Sequence, residues 1–376
     1  MIRRAILAGL LIALVAGCGS QAAPAALPST AVQTAPLATS LVTAQGAWAV
    51  AVMGGSAAAE NKFWQLFVRP TGASRWSLVT PPAVADNGGL VAAGGAGGTS
   101  MLVGFRPSQA LTFSPLAMSS DRGQNWTPGL LDAALADVPD ALAVGASGRI
   151  LALLHGGTIV AAPSTAAAAA GQWSQLTTLG TLAASAPGRS CGLVAVNAVS
   201  FGINNVPMAA GSCLRRGVAG VFADSDGMWQ AAGPALPAGS GGDQAQVLGL
   251  ASTKDGNAVL LLAGTDLLAA WSDGTRWTLS APVQAAGGIA ASGFGPGGSV
   301  WVLLGAGRAE TVAGPGASWR ALPPLPAGTA TLAPGPGGGY DALAASGSVL
   351  TVWRLAAAAW AKVQVIDVPI EYGSSG

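Results

Sequence analysis

Charge is scarce in this chain of 376 residues: Asp, Glu, Lys and Arg together supply 9% of it, where ordinary globular domains carry about 25%. The net charge of +1 argues against a nucleic-acid binder, which usually presents a basic face, and against electrostatic steering toward anionic lipid. Histidine occurs once, at His155; a zinc site therefore lacks ligands, and neither a metal nor another cofactor is expected. A Ser-His-Asp hydrolase would have to recruit that one imidazole from LALLHGG at a strand end, and no G-x-S-x-G elbow accompanies it. His155 is read as a turn-flanking residue. Cysteine is limited to Cys18, Cys191 and Cys213 with no C-x-x-C spacing, which argues against redox catalysis.

Apolar surface is plentiful. Hydrophobic residues make up 51% of the chain and include 12 Trp, so a disordered polyelectrolyte is excluded. The 55 Gly and 24 Pro imply many turns, favouring numerous short strands over long helices. The length suits two average domains or one all-β unit.

The amino terminus carries the clearest local signal. Arg3 and Arg4 form a basic start, Ala5 to Val15 an apolar run and Ala16-Gly17 a small-residue site, together an export signal too short to span a bilayer. Leu14-Val15-Ala16-Gly17-Cys18 resembles the bacterial lipobox, which implies a signal peptide over 1–17 and lipidation of Cys18. Acyl chains contribute about 0.8 kcal/mol per buried CH₂, enough for stable anchoring with two chains. The expectation is an exported protein held on the outer face of a bacterial membrane. Residues 18–38, rich in Ala, Pro, Ser and Thr without hydrophobic periodicity, read as a flexible tether. In an exported chain the remaining pair, Cys191 and Cys213, is expected to form a disulfide. The stretch between them reads as an insertion that lengthens its repeat, where contacts with partners concentrate. Arg215-Arg216 just beyond it reads as a solvated turn.

Internal repetition decides the fold class. Tryptophans in similar settings recur at Trp76, Trp126, Trp173, Trp229, Trp277, Trp319 and Trp360, at intervals of 50, 47, 56, 48, 42 and 41 residues. Such periods match propeller blades. Gly256, Gly298 and Gly339 each fall 21 residues before Trp277, Trp319 and Trp360, so two features keep one register. The fifth repeat parses as VLGLAST, AVLLLAG, DLLAAWSDG and RWTLSAP, with the tryptophan opening the outermost strand and covering the space between blades. Residues 39–376 are therefore expected to form an all-β, seven-bladed β-propeller of four-stranded blades. TSLVTA supplies a candidate first inner strand, and AKVQVIDVPIEYG completes blade seven or extends onto blade one. The string GFGPGG meets G-x-G-x-x-G, but a strand pattern follows it where a dinucleotide site needs a helix.

SSDRGQNW, with Ser119, Asp121, Gly123 and Trp126, resembles the Asp-box or BNR repeat of sialidases and of many non-enzymatic propellers. Shortened relatives, ADSDGMW with Asp226 and WSDGTRW with Asp273, follow it. Such a turn uses its carboxylate to accept backbone N–H groups and its glycine to reach positive φ, which is a structural role. Resemblance to sialidases would further imply an arginine triad, a Tyr nucleophile assisted by Glu, and an Asp acid/base. Only Tyr340 and Tyr372, with Glu60, Glu310 and Glu371, are available; the nearest phrase to Arg-Ile-Pro is Phe105-Arg106-Pro107. Tyr340 and Glu310 make the best available pair. No catalytic residue is assigned. The reading is a monomeric, non-catalytic binding or scaffolding module for an envelope protein or glycan; the alternative is a sialidase-type glycoside hydrolase, marked by an arginine cluster near Tyr340.

Overall fold

The computed structural model describes residues 38–54, 62–82, 89–94, 100–105, 116–129, 138–237, 244–305 and 307–369. The expected leader over 1–17, Cys18, the expected tether through residue 37, Glu60, Arg106, Pro107, Glu371 and Tyr372 lie outside these residues.

Antiparallel meanders follow one another along the chain. The first comprises β1 (Ala38–Thr43), β2 (Gly46–Gly54), β3 (Lys62–Pro70) and β4 (Ser77–Leu78), and the second β5 (Leu90–Gly94), β6 (Met101–Phe105), β7 (Leu116–Ser119) and β8 (Thr127–Gly129). The third holds β9 (Ala141–Val144), β10 (Ile150–Leu154), β11 (Thr158–Ala162), a helical turn α1 (Thr165–Ala169) and β12 (Ser174–Thr177). Helices α2 (Leu179–Ala184) and α3 (Ala186–Cys191) lead into the fourth, made of β13 (Leu193–Phe201), β14 (Pro207–Cys213), β15 (Gly220–Ser225) and β16 (Met228–Ala231). The fifth has β17 (Ala245–Ser252), β18 (Asn257–Ala263), β19 (Asp266–Ser272), β20 (Trp277–Leu279) and a short extra strand β21 (Val283–Gln284). The sixth contains β22 (Ile289–Phe294), β23 (Val300–Leu304), β24 (Arg308–Val312) and β25 (Arg320–Ala321), and the last β26 (Thr329–Pro334), β27 (Tyr340–Ser346), β28 (Val349–Ala356) and β29 (Ala359–Asp367).

Strand periodicity explains how these sheets pack. Side chains alternate between faces along a strand, so Ala258 and Leu260 of β18 join a core with the sixth meander, while Val259 and Leu261 join one with the fourth. A strand buried on both faces is apolar throughout, which accounts for the run AVLLLA. The same arrangement recurs between the first and second meanders at Trp48, Leu66 and Val103, and between the second and third at Leu102, Leu116 and Ile150. It continues between the third and fourth and between the sixth and last. The last then packs on the first through Leu343, Val352, Ala49 and Phe67. Each sheet thus buries both faces against its neighbours, the packing of a β-propeller.

The N-terminal strand does more than open the first meander. β1 pairs in parallel with β22, Ala38 opposite Ser292 and Ser40 opposite Gly293, so the first and sixth meanders share one hydrogen-bonded sheet. Trp301 Nε1 donates to Ser40 Oγ at 2.9 Å, and the hydroxyls of Thr39 and Thr331 lie 2.7 Å apart. A Cβ at Gly293 would sit 2.6 Å from Ser40 Oγ and from Trp301 Nε1, so only glycine permits this approach. β29 completes the last meander by pairing with β28, and its Gln364 side chain exchanges two 2.8 Å hydrogen bonds with the backbone of Trp76.

A buried ionic cluster completes this seam. Asp341 on β27 has no exposed surface. Arg354 grips it with Nε on Oδ1 at 2.8 Å and Nη2 on Oδ2 at 3.1 Å, and Trp76 Nε1 donates to Oδ2 at 2.9 Å. Arg69 Nε lies 3.5 Å from the same oxygen, with its guanidinium 5.7 Å from the Trp76 ring centre.

Strands dominate, with three short α-helices among the described residues; Ser164, Thr178 and Ser185 each cap one by accepting a backbone N–H, a local signal inside apparent loops. One expectation needs correction: the Cys191–Cys213 interval is not an inserted loop but the strand pair β13–β14, and the long fourth repeat arises instead from α2 and α3. The disulfide joins the end of α3 to the end of β14.

Replacing Asp341 with Ala leaves the buried Arg69 and half-buried Arg354 guanidinium groups without their counter-charge, and the expected loss is about 3–5 kcal/mol in urea unfolding. Asp367→Ala at the exposed end of β29 serves as the control and should move stability by no more than ~0.5 kcal/mol. Cys191→Ala/Cys213→Ala, which reopens a loop of sequence separation 22, should cost ~3 kcal/mol; an unchanged urea midpoint would deny the bridge a stabilising role.

Candidate functional site

Ser119 ends β7, and the chain then reverses through Arg122 at φ 64° and Gly123 at φ 79°. The Ser119 hydroxyl donates to Asp121 Oδ1 at 2.8 Å and accepts the Gly123 N–H at 2.8 Å. Asp121 Oδ1 also accepts the Asn125 N–H at 2.9 Å, and Oδ2 accepts the Asn125 side-chain amide at 2.6 Å. Hydrogen bonds from Asn125, then from Ser119, hold this carboxyl down at about 2. Both its oxygens bond within the turn and so shape the corner.

The related turns reach that end differently. Asp273 accepts the Thr275 and Arg276 N–H groups at 2.8 Å, which with the Thr275 hydroxyl holds it at about 2. In ADSDGMW the acceptor is Asp224, bonded by the Gly227 N–H at 2.9 Å, whereas Asp226 takes the left-handed position at φ 52°.

The repeat tryptophans tie each sheet to the one before it. Trp126 donates its indole N–H to Val79 O at 2.9 Å, Trp277 to Ala232 O at 2.8 Å, Trp319 to Ala281 O at 3.0 Å and Trp360 to Pro323 O at 3.3 Å. Trp76 reaches Asp341 instead. Trp173 departs from the pattern by bonding Ala168 O of α1 at 3.2 Å, and Trp229 packs against the core between the third and fourth meanders.

The residues weighed for chemistry do not converge. Tyr340 belongs to the core between the sixth and last meanders, where burial raises its phenol and hydrogen bonds to Thr311 and Ser299 oppose that rise. On β24, Ala309 faces that same core and Val312 the opposite one; strand alternation therefore turns Glu310 away from Tyr340. Glu310 is bonded along its own strand to Arg308 at 3.3 Å. His155 is 86% exposed, 4.0 Å from Asp140. Arg215 and Arg216 follow β14 on the exposed turn. GFGPGG runs from β22 through a 3-10 turn into β23, a hairpin and not a dinucleotide site. Among the described residues no cluster of three or more His, Cys, Asp or Glu could hold a metal ion.

The arginine cluster that a sialidase would show near Tyr340 has a counterpart in Arg69 and Arg354, but both are turned onto Asp341. Their identity was hard to read from sequence, because Arg69 and Asp341 lie 272 positions apart. One signal was present: a charged residue inside the apolar strands FVRP, YDALAA and VWRLA of a chain this poor in charge.

A cavity of about 410 Å³ lies along the axis. Its walls are the inner strands β1, β5, β9, β13 and β17 with the turn after β22; β26 of the last meander does not reach it, and β1 pairs with β22 in front. Leu41, Val91, Leu142, Leu250 and Phe294 give it an apolar lining, with Ser40, Asn197 and Ser252 as polar points and Asp140 and Lys254 as its charged residues. Asn197 Nδ2 is already committed to Ser212 Oγ and Val247 O.

The fold and this axial cavity define a β-propeller. No protein-family model matches the chain, and no curated protein matches it. Among solved structures it is similar to 6-phosphogluconolactonase-like proteins of Bacteroides uniformis and Bacteroides fragilis. Each likeness has a TM-score of 0.50 and 13% identity over 85% of this chain, covering 96% and 95% of those chains. At that identity the likeness shows the fold alone. A looser one, TM-score 0.44 at 15% identity, is to YCF48 bound to D1 peptide, over 77% of this chain and 82% of that one.

The Asp121 carboxyl should titrate near 2 by carbon-13 NMR. Its folded value lies below the unfolded one, so its stabilising contribution is complete above pH ~4 and is lost as pH falls through about 2. Asp121→Asn should remove that acid-dependent component, and a normal value near 4 would show the turn bonds to be unformed in solution.

Proposed function

We propose that this chain is a seven-bladed propeller of the Asp-box type, exported and lipid-anchored at Cys18, that binds an envelope protein or glycan without transforming it. The axial cavity of about 410 Å³ carries the reading. It has the concavity, apolar lining and few polar points of a recognition site, while Tyr340, Glu310 and His155 are absent from its walls. SSDRGQNW supports the Asp-box assignment because its carboxylate is spent on the turn. The repeated sheets and the core between the last and the first support seven blades in a closed ring.

A photo-crosslinker placed at Thr253 on the cavity rim and, separately, at Val363 on the outer strand β29 tests the binding site in intact cells. A defined envelope species joined at Thr253 and missing at Val363 is expected. Turnover of fluorogenic sialosides abolished by Tyr340→Phe would replace this reading with the glycosidase one. Cys18→Ser should move the protein from membranes to the soluble fraction, and persistent membrane retention would remove the lipid anchor from the proposal.

A further inference from the structure

The seam holds a charge imbalance beside a second cavity. Two guanidinium groups, Arg69 and Arg354, meet one carboxylate, Asp341, leaving one positive charge in excess. Arg354 satisfies the carboxylate as a two-pronged fork and is backed by Ser74 O at 3.0 Å. Arg69 is left with the weaker share. Its Nη2 donates to Pro334 O at 2.7 Å and its Nη1 to Ala73 O at 3.3 Å, but Nε makes no hydrogen bond, although the side chain is only 9% exposed. Asp341, 3.5 Å from Nε and shared with Arg354, offsets that charge only in part, and a buried cation is costly unless an anion or further acceptors complete it.

Space for that anion is present. A cavity of about 400 Å³ is lined by Arg69, Ala73, Ser74, Pro334 and the Gly335–Gly337 turn, and Arg69 is the one charged residue in its lining. It shares Val42, Thr43 and Pro296 with the axial cavity, whereas Ala47, Arg69, Ala73, Ser74 and Pro334 line this one alone. We propose that this cavity binds a carboxylate, with the Arg69 guanidinium as its charged anchor. A single negative charge matches the single positive excess, whereas a phosphate dianion would overcompensate it in a desolvated place. The planar guanidinium also presents paired N–H donors that suit a carboxylate. The inference is independent of the role proposed for the axial cavity.

The test follows the Arg69 Nε–H resonance in the nitrogen-15 labelled protein, with calorimetry for affinity. Acetate, the peptide acetyl-Gly-Gly-Ala with a free carboxylate, the same peptide as its amide, and inorganic phosphate are the probes, compared at constant ionic strength. Saturable binding of a carboxylate is expected, with the amide at least ten-fold weaker. Preference for the peptide over acetate would place the carboxylate on a chain terminus, and equal binding on a small molecule; both support the site. Ser74→Trp, which fills the cavity while keeping every charge, should weaken binding ten-fold or more, and Arg69→Lys should do the same with the charge retained. No saturable shift with either carboxylate, tighter binding of phosphate, or undiminished binding in Ser74→Trp would overturn the assignment.

Discussion

The structure depends on how the last sheet is held against the first. Sheets that cover each other in sequence leave two uncovered faces at the ends of the series, and Asp341 sits where those faces meet. Arg354 from its own sheet and Trp76 from the first sheet both bond its carboxylate, so the ion pair and the inter-sheet contact form together. Burial makes this arrangement demanding, because each charge lost from water must be recovered by its partners. Gln364 pairing with the Trp76 backbone and β1 pairing with β22 add neutral hydrogen bonds around the ionic centre.

The remaining contacts between sheets rely on apolar packing and a recurrent indole hydrogen bond. An indole is large enough to bury the outer margin of a sheet and has one N–H that must find an acceptor when covered. The carbonyl just past the outer strand of the preceding sheet supplies it for Trp126, Trp277, Trp319 and Trp360. The same residue therefore marks the repeat in sequence and joins the repeats in space. Scarcity of surface charge is compatible with this plan, since long apolar strands are covered on both sides.

Polar groups survive in the interior at few places. Asp121 and Asp273, which look reactive in isolation, are absorbed by their own turns. The axial cavity keeps a mostly apolar wall with a few polar points, and the seam keeps Arg69 beside open space. Tyr340 packs on one face of the sixth sheet and Glu310 points from the other.

Strand content, the repeat register and the strands of the fifth sheet were legible in the sequence, because each depends on neighbours within about one repeat: alternation along AVLLLA, glycine at Gly256, tryptophan at Trp277. The expected leader and the lipobox-like stretch ending at Cys18 are readings of one short segment that lies outside the described residues. Helices α2 and α3 escaped because their caps, Thr178 and Ser185, are ordinary loop residues until the backbone bends around them. The parallel pairing of β1 with β22, the lock on Asp341 and the cavity beside Arg69 were decided by tertiary structure alone. Their partners are separated by 253 to 292 residues where hydrogen bonds bind Thr39 to Ser292 and Thr331, and no local pattern specifies which distant strand will meet which. Sequence set the repeating unit through short-range geometry; closure selected the partners because the two exposed end faces had to bury each other.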